Sequence, residues 1–346
     1  MKKLSLVLSG LLVSGVVAVA DTALIKKAKD AGLKPIAKKD YPAKKLTAIQ
    51  ELGKKLFFEP RLSKSGLISC NTCHNLAIGG VDGVGAAVGH KWTPNPAHLN
   101  SPTVYNAVLN KAQFWDGRDP HLEAQAQGPV QAGPEMAAPK SLVEARVNSM
   151  PAYVAEFKKA YGKDVKITFE KITDSIAAYE RTLITPSRFD KFLDGDVKAL
   201  TKAEKEGLSC FIDKGCASCH NDVGLGGTMQ PFNAEKYDLN VGGFTGTKDG
   251  MVKTPTLRNI EETAPYFHNG NIWSLQESVK QMGKIQLGIS IDDVDSAKIT
   301  TFLKSLTGTK PNITYPQLQY RDWETDRKST RLNSSHSGES RMPSSA

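Results

Sequence analysis

Cys70-Asn71-Thr72-Cys73-His74 and Cys216-Ala217-Ser218-Cys219-His220 repeat one pentapeptide pattern, C-x-x-C-H, and that repetition decides how the rest of the chain is read. In such a pentapeptide the two thiols add to the vinyl groups of a haem as thioethers, and the adjacent His reaches the iron from the same side. A lone C-x-x-C would serve equally as a redox disulfide or as half of a zinc site. The following His, the duplication and an N-terminal export leader together point to two covalently attached c-type haems. Only Cys210 is left over. It precedes the second motif beside Leu208, Phe211 and Ile212 and reads as a small buried hydrophobe.

The leader is the uncharged apolar run over 4–20, preceded by Lys2 and Lys3 and closed by Ala18-Val19-Ala20 before Asp21. That is the three-part layout of a cleaved secretory signal over 1–20, so the expected compartment is the periplasm, with no stable membrane span. Retention of the run as a membrane anchor is the alternative. The 346 residues suggest two domains at about 150 residues each. With 40% hydrophobic and 23% charged residues, a disordered, collagen-like or disulfide-scaffold chain is excluded. The formal charge of +9 is concentrated near the N-terminus, where residues 21–55 hold ten Lys against four acids. A nucleic-acid partner is excluded, because a Lys-rich lead-in is not a basic face with aromatic or Arg readers on a folded module.

Apolar spacing makes the mature chain mainly α. Leu46, Ile49, Leu52 and Leu56 recur at helical intervals, as do Phe169, Ile172, Ile176, Tyr179 and Leu183, and then Ile299, Phe302, Leu303 and Leu306. Ser141 with Glu144, Thr201 with Glu204, and Ser274 with Glu277 have the spacing of capping boxes, each opening a helix. Long Gly/Pro-bearing loops over 79–102 and 221–257 suit a chain wrapped around a bound group. The expected organisation is a leader (1–20), a lead-in segment (21–44), and two cytochrome c-like haem domains with long loops (45–185 and 186–316). A tail (317–346) completes it. Residues 321–346 hold seven Ser and five Arg or Lys with few large apolar side chains, so they cannot bury a face. Asp326 to His336 reads like translated sequencing adapter, and the tail is set aside as disordered or artefactual.

A His-ligated haem has a second axial position, and its occupant decides the chemistry. His90, His98, His121, His268 and His336 are candidates, with Met136, Met150, Met229, Met251 and Met282. Met282 continues a helical stripe with Leu275 and Val279, as a ligand or as core. His90 sits in Gly89-His90-Lys91-Trp92, either a loop His able to move or a surface one. Taken alone, Trp115 reads as a core aromatic. Glu135, after the Gly133-Pro134 turn, is either aimed inward or left on the surface.

SCNTCHNLAIGGVDG, GHKW, NSPTVYNAVLNKAQFWDGR, GPEM, GCASCHND, KTPTLRN, TAPYFHNG and SVKQM follow one another between about 45 and 310. In that order they resemble the bacterial di-haem cytochrome c peroxidases; QFWDGR, TPTLRN and TAPYFHNG are the most specific. The resemblance implies that His74 is the proximal ligand of an N-terminal, low-potential, peroxidatic haem, with His90 its removable second ligand. It implies His220 and Met282 on a C-terminal, high-potential haem, with Trp115 between the two. Gln125 and Glu135 match the family's distal pair, Glu135 as acid/base. Asn100 by its side chain, with Thr263 and Pro265 by their carbonyls, matches a calcium site whose oxygen donors suit a hard cation. Arg118 and Arg258 are candidates to pair with haem propionates. His268 is expected to be structural or propionate-bonded, and His98, His121 and Met229 are not expected to be ligands.

The implied activity is reduction of hydrogen peroxide to two waters, with electrons from a small cytochrome c or a cupredoxin, in a homodimer. A carboxylate that moves a proton between the two peroxide oxygens and an amide that orients them are what the chemistry needs. Two rivals remain at this stage. One is an electron carrier with both haems six-coordinate. The other is a related oxidase that matures a tryptophan-derived cofactor, for which Met282 is the wrong axial residue.

Overall fold

The computed structural model describes residues 19–232 and 244–318. The leader up to residue 18, part of the 221–257 loop, and His336 with the rest of the tail from 319 lie outside the described residues. The fold is mainly α, as the apolar spacing predicts. Helix α1 runs through 19–30, followed by α2 (Ala48–Phe57), α3 (Cys70–Cys73), α4 (Leu122–Gln131), α5 (Lys140–Asn148) and α6 (Pro151–Tyr161). Then come α7 (Phe169–Glu180), α8 (Arg188–Leu193), α9 (Lys202–Asp213), α10 (Leu275–Met282) and α11 (Asp293–Lys304). Among the described residues the one sheet is a two-stranded antiparallel ribbon, β1 (Met229–Pro231) and β2 (Met251–Lys253), in the register Met229 to Lys253.

Two apolar clusters organise these helices. The first gathers Leu52, Leu56, Phe57, Phe157, Phe169, Ile172, Ile176 and Leu183, all essentially sealed from solvent. The second gathers Phe189, Phe192, Leu208, Phe211, Ile299, Phe302 and Leu306. The three predicted stripes therefore face cores. The chain ends cross over: Ala28 and Leu33 pack into the second cluster, while Ile313 and Leu318 pack against the first. The strap around 313–318 thus runs past the expected 316/317 boundary of the second domain.

Of the three capping boxes, Thr201–Glu204 is complete at α9, and at α10 the Ser274 hydroxyl accepts from the Glu277 N–H. The third fails. Helix α5 begins at Lys140 after Pro139, which puts Ser141 inside the helix rather than at its cap. The Glu144 carboxylate instead accepts from the backbone N–H of Phe169 at 2.7 Å, across to the start of α7.

Candidate functional site

Each C-x-x-C-H turn opens on its own cleft. At the first, the short helix α3 starts after Ser69, whose N–H donates to the Thr72 hydroxyl at 2.9 Å, and His74 N–H closes back on the Cys70 carbonyl. At the second, Gly215 in the left-handed region (φ 85°) feeds a 3-10 turn over Cys216–Ser218, and His220 N–H returns to the Cys216 carbonyl. Both imidazoles are oriented through the same ring atom. His74 Nδ1 lies 2.9 Å from the Pro102 carbonyl, and His220 Nδ1 lies 3.2 Å from that of Leu225. A proton held on Nδ1 by a carbonyl leaves Nε2 as the lone-pair nitrogen, the orientation of a metal-ligating His. Burial lowers both imidazoles, His220 to about 4, so the neutral form is favoured.

The motif cysteines are free of disulfides, and burial raises the thiols of Cys70, Cys73 and Cys216, the last two to about 12 and about 11, so these three persist as thiols. Among the described residues no three His, Cys, Asp or Glu side chains gather as a metal cluster. Apolar walls, two thiols and an imidazole with a free Nε2 on each turn fit a covalently attached haem in each cleft.

The two clefts differ in their polar equipment. Glu135, Gln125 and Arg118 line the N-terminal cleft together with His74. Burial raises the Glu135 carboxyl above its ordinary value, opposed by the charge of Arg118. Arg118 itself pairs with Asp116 and lies 3.4 Å over the Phe114 ring. A second carboxyl in this cleft, the buried Glu180 at the end of α7, escapes the sequence reading; desolvation pushes it up to about 8. Its one sequence signal is a charge set directly after a core position, Tyr179, at the end of an apolar stripe. The C-terminal cleft holds His220, Met282 and His268 among largely apolar neighbours.

Trp115 lines both clefts, and its indole N–H donates to the Asn100 carbonyl at 2.9 Å. Asn100 in turn reaches the TAPYFHNG segment: its side-chain nitrogen lies 2.6 Å from the Pro265 carbonyl, and its N–H donates to the His268 carbonyl. Thr263 lines the same cleft as Asn100 and Pro265.

His90 is held differently. Ala87, Val88 and Gly89 line the N-terminal cleft, and the His90 side chain is not among its lining residues. The His90 N–H donates to the Glu135 carbonyl at 2.8 Å, and a Cβ at Gly89 would overlap the Pro134 carbonyl, so this loop lies directly on the loop that carries Glu135. His121 caps α4 by accepting from the Ala124 N–H, and Met229 lies against Gly117. Arg258 corrects the expectation of a propionate partner. It is fully buried, bound by both carboxylate oxygens of Asp190 at 2.9 and 3.0 Å, and donates to the Val223 carbonyl.

Against known proteins, the family model described as "Di-haem cytochrome c peroxidase" matches residues 47–198. The cytochrome c551 peroxidase of Pseudomonas aeruginosa is 47% identical over 283 residues, covering 78% of this chain and 81% of the relative. The chain belongs to the di-haem cytochrome c peroxidase family. The cytochrome c551 peroxidase of Nitrosomonas europaea is 45% identical over 287 residues, covering 80% of this chain and 85% of its own length. Among solved structures, a MauG-like protein associated with microbial copper homeostasis superposes with a TM-score of 0.65 at 26% identity, covering 80% of this chain and 93% of that one. The family has two haems, and this chain supplies one C-x-x-C-H turn to each of its two clefts.

Proposed function

We propose that this chain is a di-haem peroxidase that reduces hydrogen peroxide to water with electrons from a small redox protein, a cytochrome c or a cupredoxin. The observation that carries the proposal is the asymmetry of the clefts. A half-buried carboxylate and an amide, Glu135 and Gln125, stand in one of them only, and Trp115 walls both. An electron carrier has no use for a distal acid/base pair in one cleft. Met282 beside His220 disfavours the cofactor-maturing oxidase, in which a Tyr takes the place of that Met.

The haems, when bound, supply one-electron chemistry and the iron to which peroxide is presented. His74 would hold the iron of the N-terminal haem, and His220 with Met282 that of the C-terminal one. Cys70, Cys73, Cys216 and Cys219 would carry the thioether links. Glu135 takes the proton from one peroxide oxygen and returns it to the other, which leaves as water. The raised carboxyl suits this exchange, because an acid/base works best with a pKa near the working pH. Gln125 orients the peroxide by hydrogen bonding, and Trp115 spans the wall through which electrons pass. Residues 45–185 would form the peroxidatic domain and 186–316 the electron-receiving one, in a periplasmic homodimer.

Calcium would bind at the junction of the halves. The approach of the Asn100 amide to the Pro265 carbonyl supports this, since a half-turn of that amide replaces its nitrogen with a second hard oxygen donor, with Thr263 close by. His90 would be the removable ligand of the N-terminal haem. Because its backbone is tied to Glu135, a move of the loop into the cleft would shift the acid/base as well.

The test is peroxide consumption by haem-loaded protein with calcium, before and after one-electron reduction. Turnover after reduction only is the expected result. Equal turnover in both states would remove the His90 gate while keeping the peroxidase, and no turnover with both haems intact would overturn the peroxidase.

A further inference from the structure

The two clefts share a wall, and among the described residues that line both of them one is ionisable: Lys253. It is also the one Lys, Arg, Asp or Glu among the described residues lining the C-terminal cleft. The residue is 5% exposed, yet no hydrogen bond or ion pair joins its ammonium to a described residue. Arg258, five positions on in the same KTPTLRN segment, has its charge consumed by Asp190. The fold fixes Lys253 firmly. It ends β2 opposite Met229, and its backbone N–H donates to the carbonyl of Trp115 at 2.7 Å.

A buried cation without a counter-charge is costly, and proteins keep one where an anion arrives to pair with it. Without such an anion, burial alone pulls this amine down to about 8. A haem in either cleft would bring such an anion on its propionate edge. We propose that Lys253 is a positioning residue shared by both clefts: its ammonium pairs with a haem propionate at the common wall and raises the reduction potential of the C-terminal haem. This rests on the reading of the clefts as haem sites. A fixed positive charge in a low-dielectric wall stabilises the reduced, less positive state of a nearby haem, so it acts on potential and not only on structure. Its backbone bond to Trp115 couples that charge to the residue between the clefts.

The test compares K253M, K253Q and K253R in the haem-loaded enzyme. Haem content is read from the absorption spectrum and midpoint potentials from a spectroelectrochemical titration. K253M and K253Q are expected to bias the C-terminal haem at least tenfold toward the oxidised form, a fall of about 59 mV for a one-electron couple. K253R should restore it. If both neutral variants lose a haem that K253R keeps, the charge is an anchor, which supports the pairing with a propionate. Potentials within twofold of the parent in a K253M that carries two haems would overturn it. So would a K253R that behaves as the neutral variants do. Failure of the haem reading itself would appear separately, as a parent protein that takes up no covalent haem.

Discussion

Glu135 and Glu180 enter the same cleft from different elements, and burial raises both carboxyls, but the two do different things. Glu180, pushed up to about 8, is a neutral acid at neutral pH, so Gln reproduces its shape and its charge. Glu135 must both take and give a proton, which Gln cannot do. E135Q is therefore expected to lose about 10²–10⁴-fold in peroxide turnover with its haem spectrum intact. E180Q should keep most of the parent turnover, because the neutral amide matches the neutral acid in shape and charge. Steady-state peroxide consumption by the two variants, side by side, checks this; equal losses would remove the acid/base role from Glu135. The C-x-x-C-H residues are legible in the sequence because thioether attachment demands their spacing within five positions. Lys253 and Glu180 are not. Their value comes from which distant segments face them, Trp115 for one and the Cys70 turn for the other, and no local pattern encodes that.

Elements repeat this contrast between local and remote causes. Thr201–Glu204 can be read as a cap because both halves of the interaction lie within one turn. Ser141–Glu144 has the same spacing, yet the helix starts at Lys140 after Pro139 and the α7 backbone takes the Glu144 carboxylate, so a tertiary partner overrides the pattern. Remote cause also explains two helix-interior glycines. Gly53 on α2 faces α7 so closely that a Cβ would overlap the Ser175 carbonyl, and Gly207 on α9 faces α11 in the same way at the Lys298 carbonyl. In each half the helix that precedes the C-x-x-C-H turn thus crosses a later helix of that half at a glycine. From propensity alone, Gly to Ala in a helix stabilises by up to about 1 kcal/mol. Here both G53A and G207A should instead destabilise, by about 1–3 kcal/mol each, as overpacking does. Thermal or urea unfolding of the two variants reads the sign directly, and a gain in stability for either would show that its crossing relaxes.

At the scale of the molecule, the crossed chain ends tie the halves together, and the tie on the N-terminal side runs through one buried ion pair. Asp190 accepts from both terminal nitrogens of Arg258, from Ser187, and from the backbone N–H of Ile36 at 2.8 Å. A single carboxylate thus joins the 21–44 segment, α8 and the KTPTLRN segment. Burial alone would raise this carboxyl, but the charge and hydrogen bonds of Arg258 outweigh it and hold the carboxyl below its ordinary 3.8. A carboxyl whose folded value is depressed adds stability that is full above its unfolded value and is lost as pH falls through the folded one. The parent protein should therefore keep this contribution at neutral pH and lose it only below about 3.8. D190N leaves Arg258 buried and unpaired, and is expected to cost about 3–5 kcal/mol at neutral pH. The gap between D190N and the parent should then narrow as the medium is acidified below that point, because the parent loses by protonation what the variant lacks already. Urea midpoints of both proteins, measured at neutral pH and again in acid, give that difference; a gap that stays constant across the range would mean that the Asp190–Arg258 pair carries no pH-dependent stability.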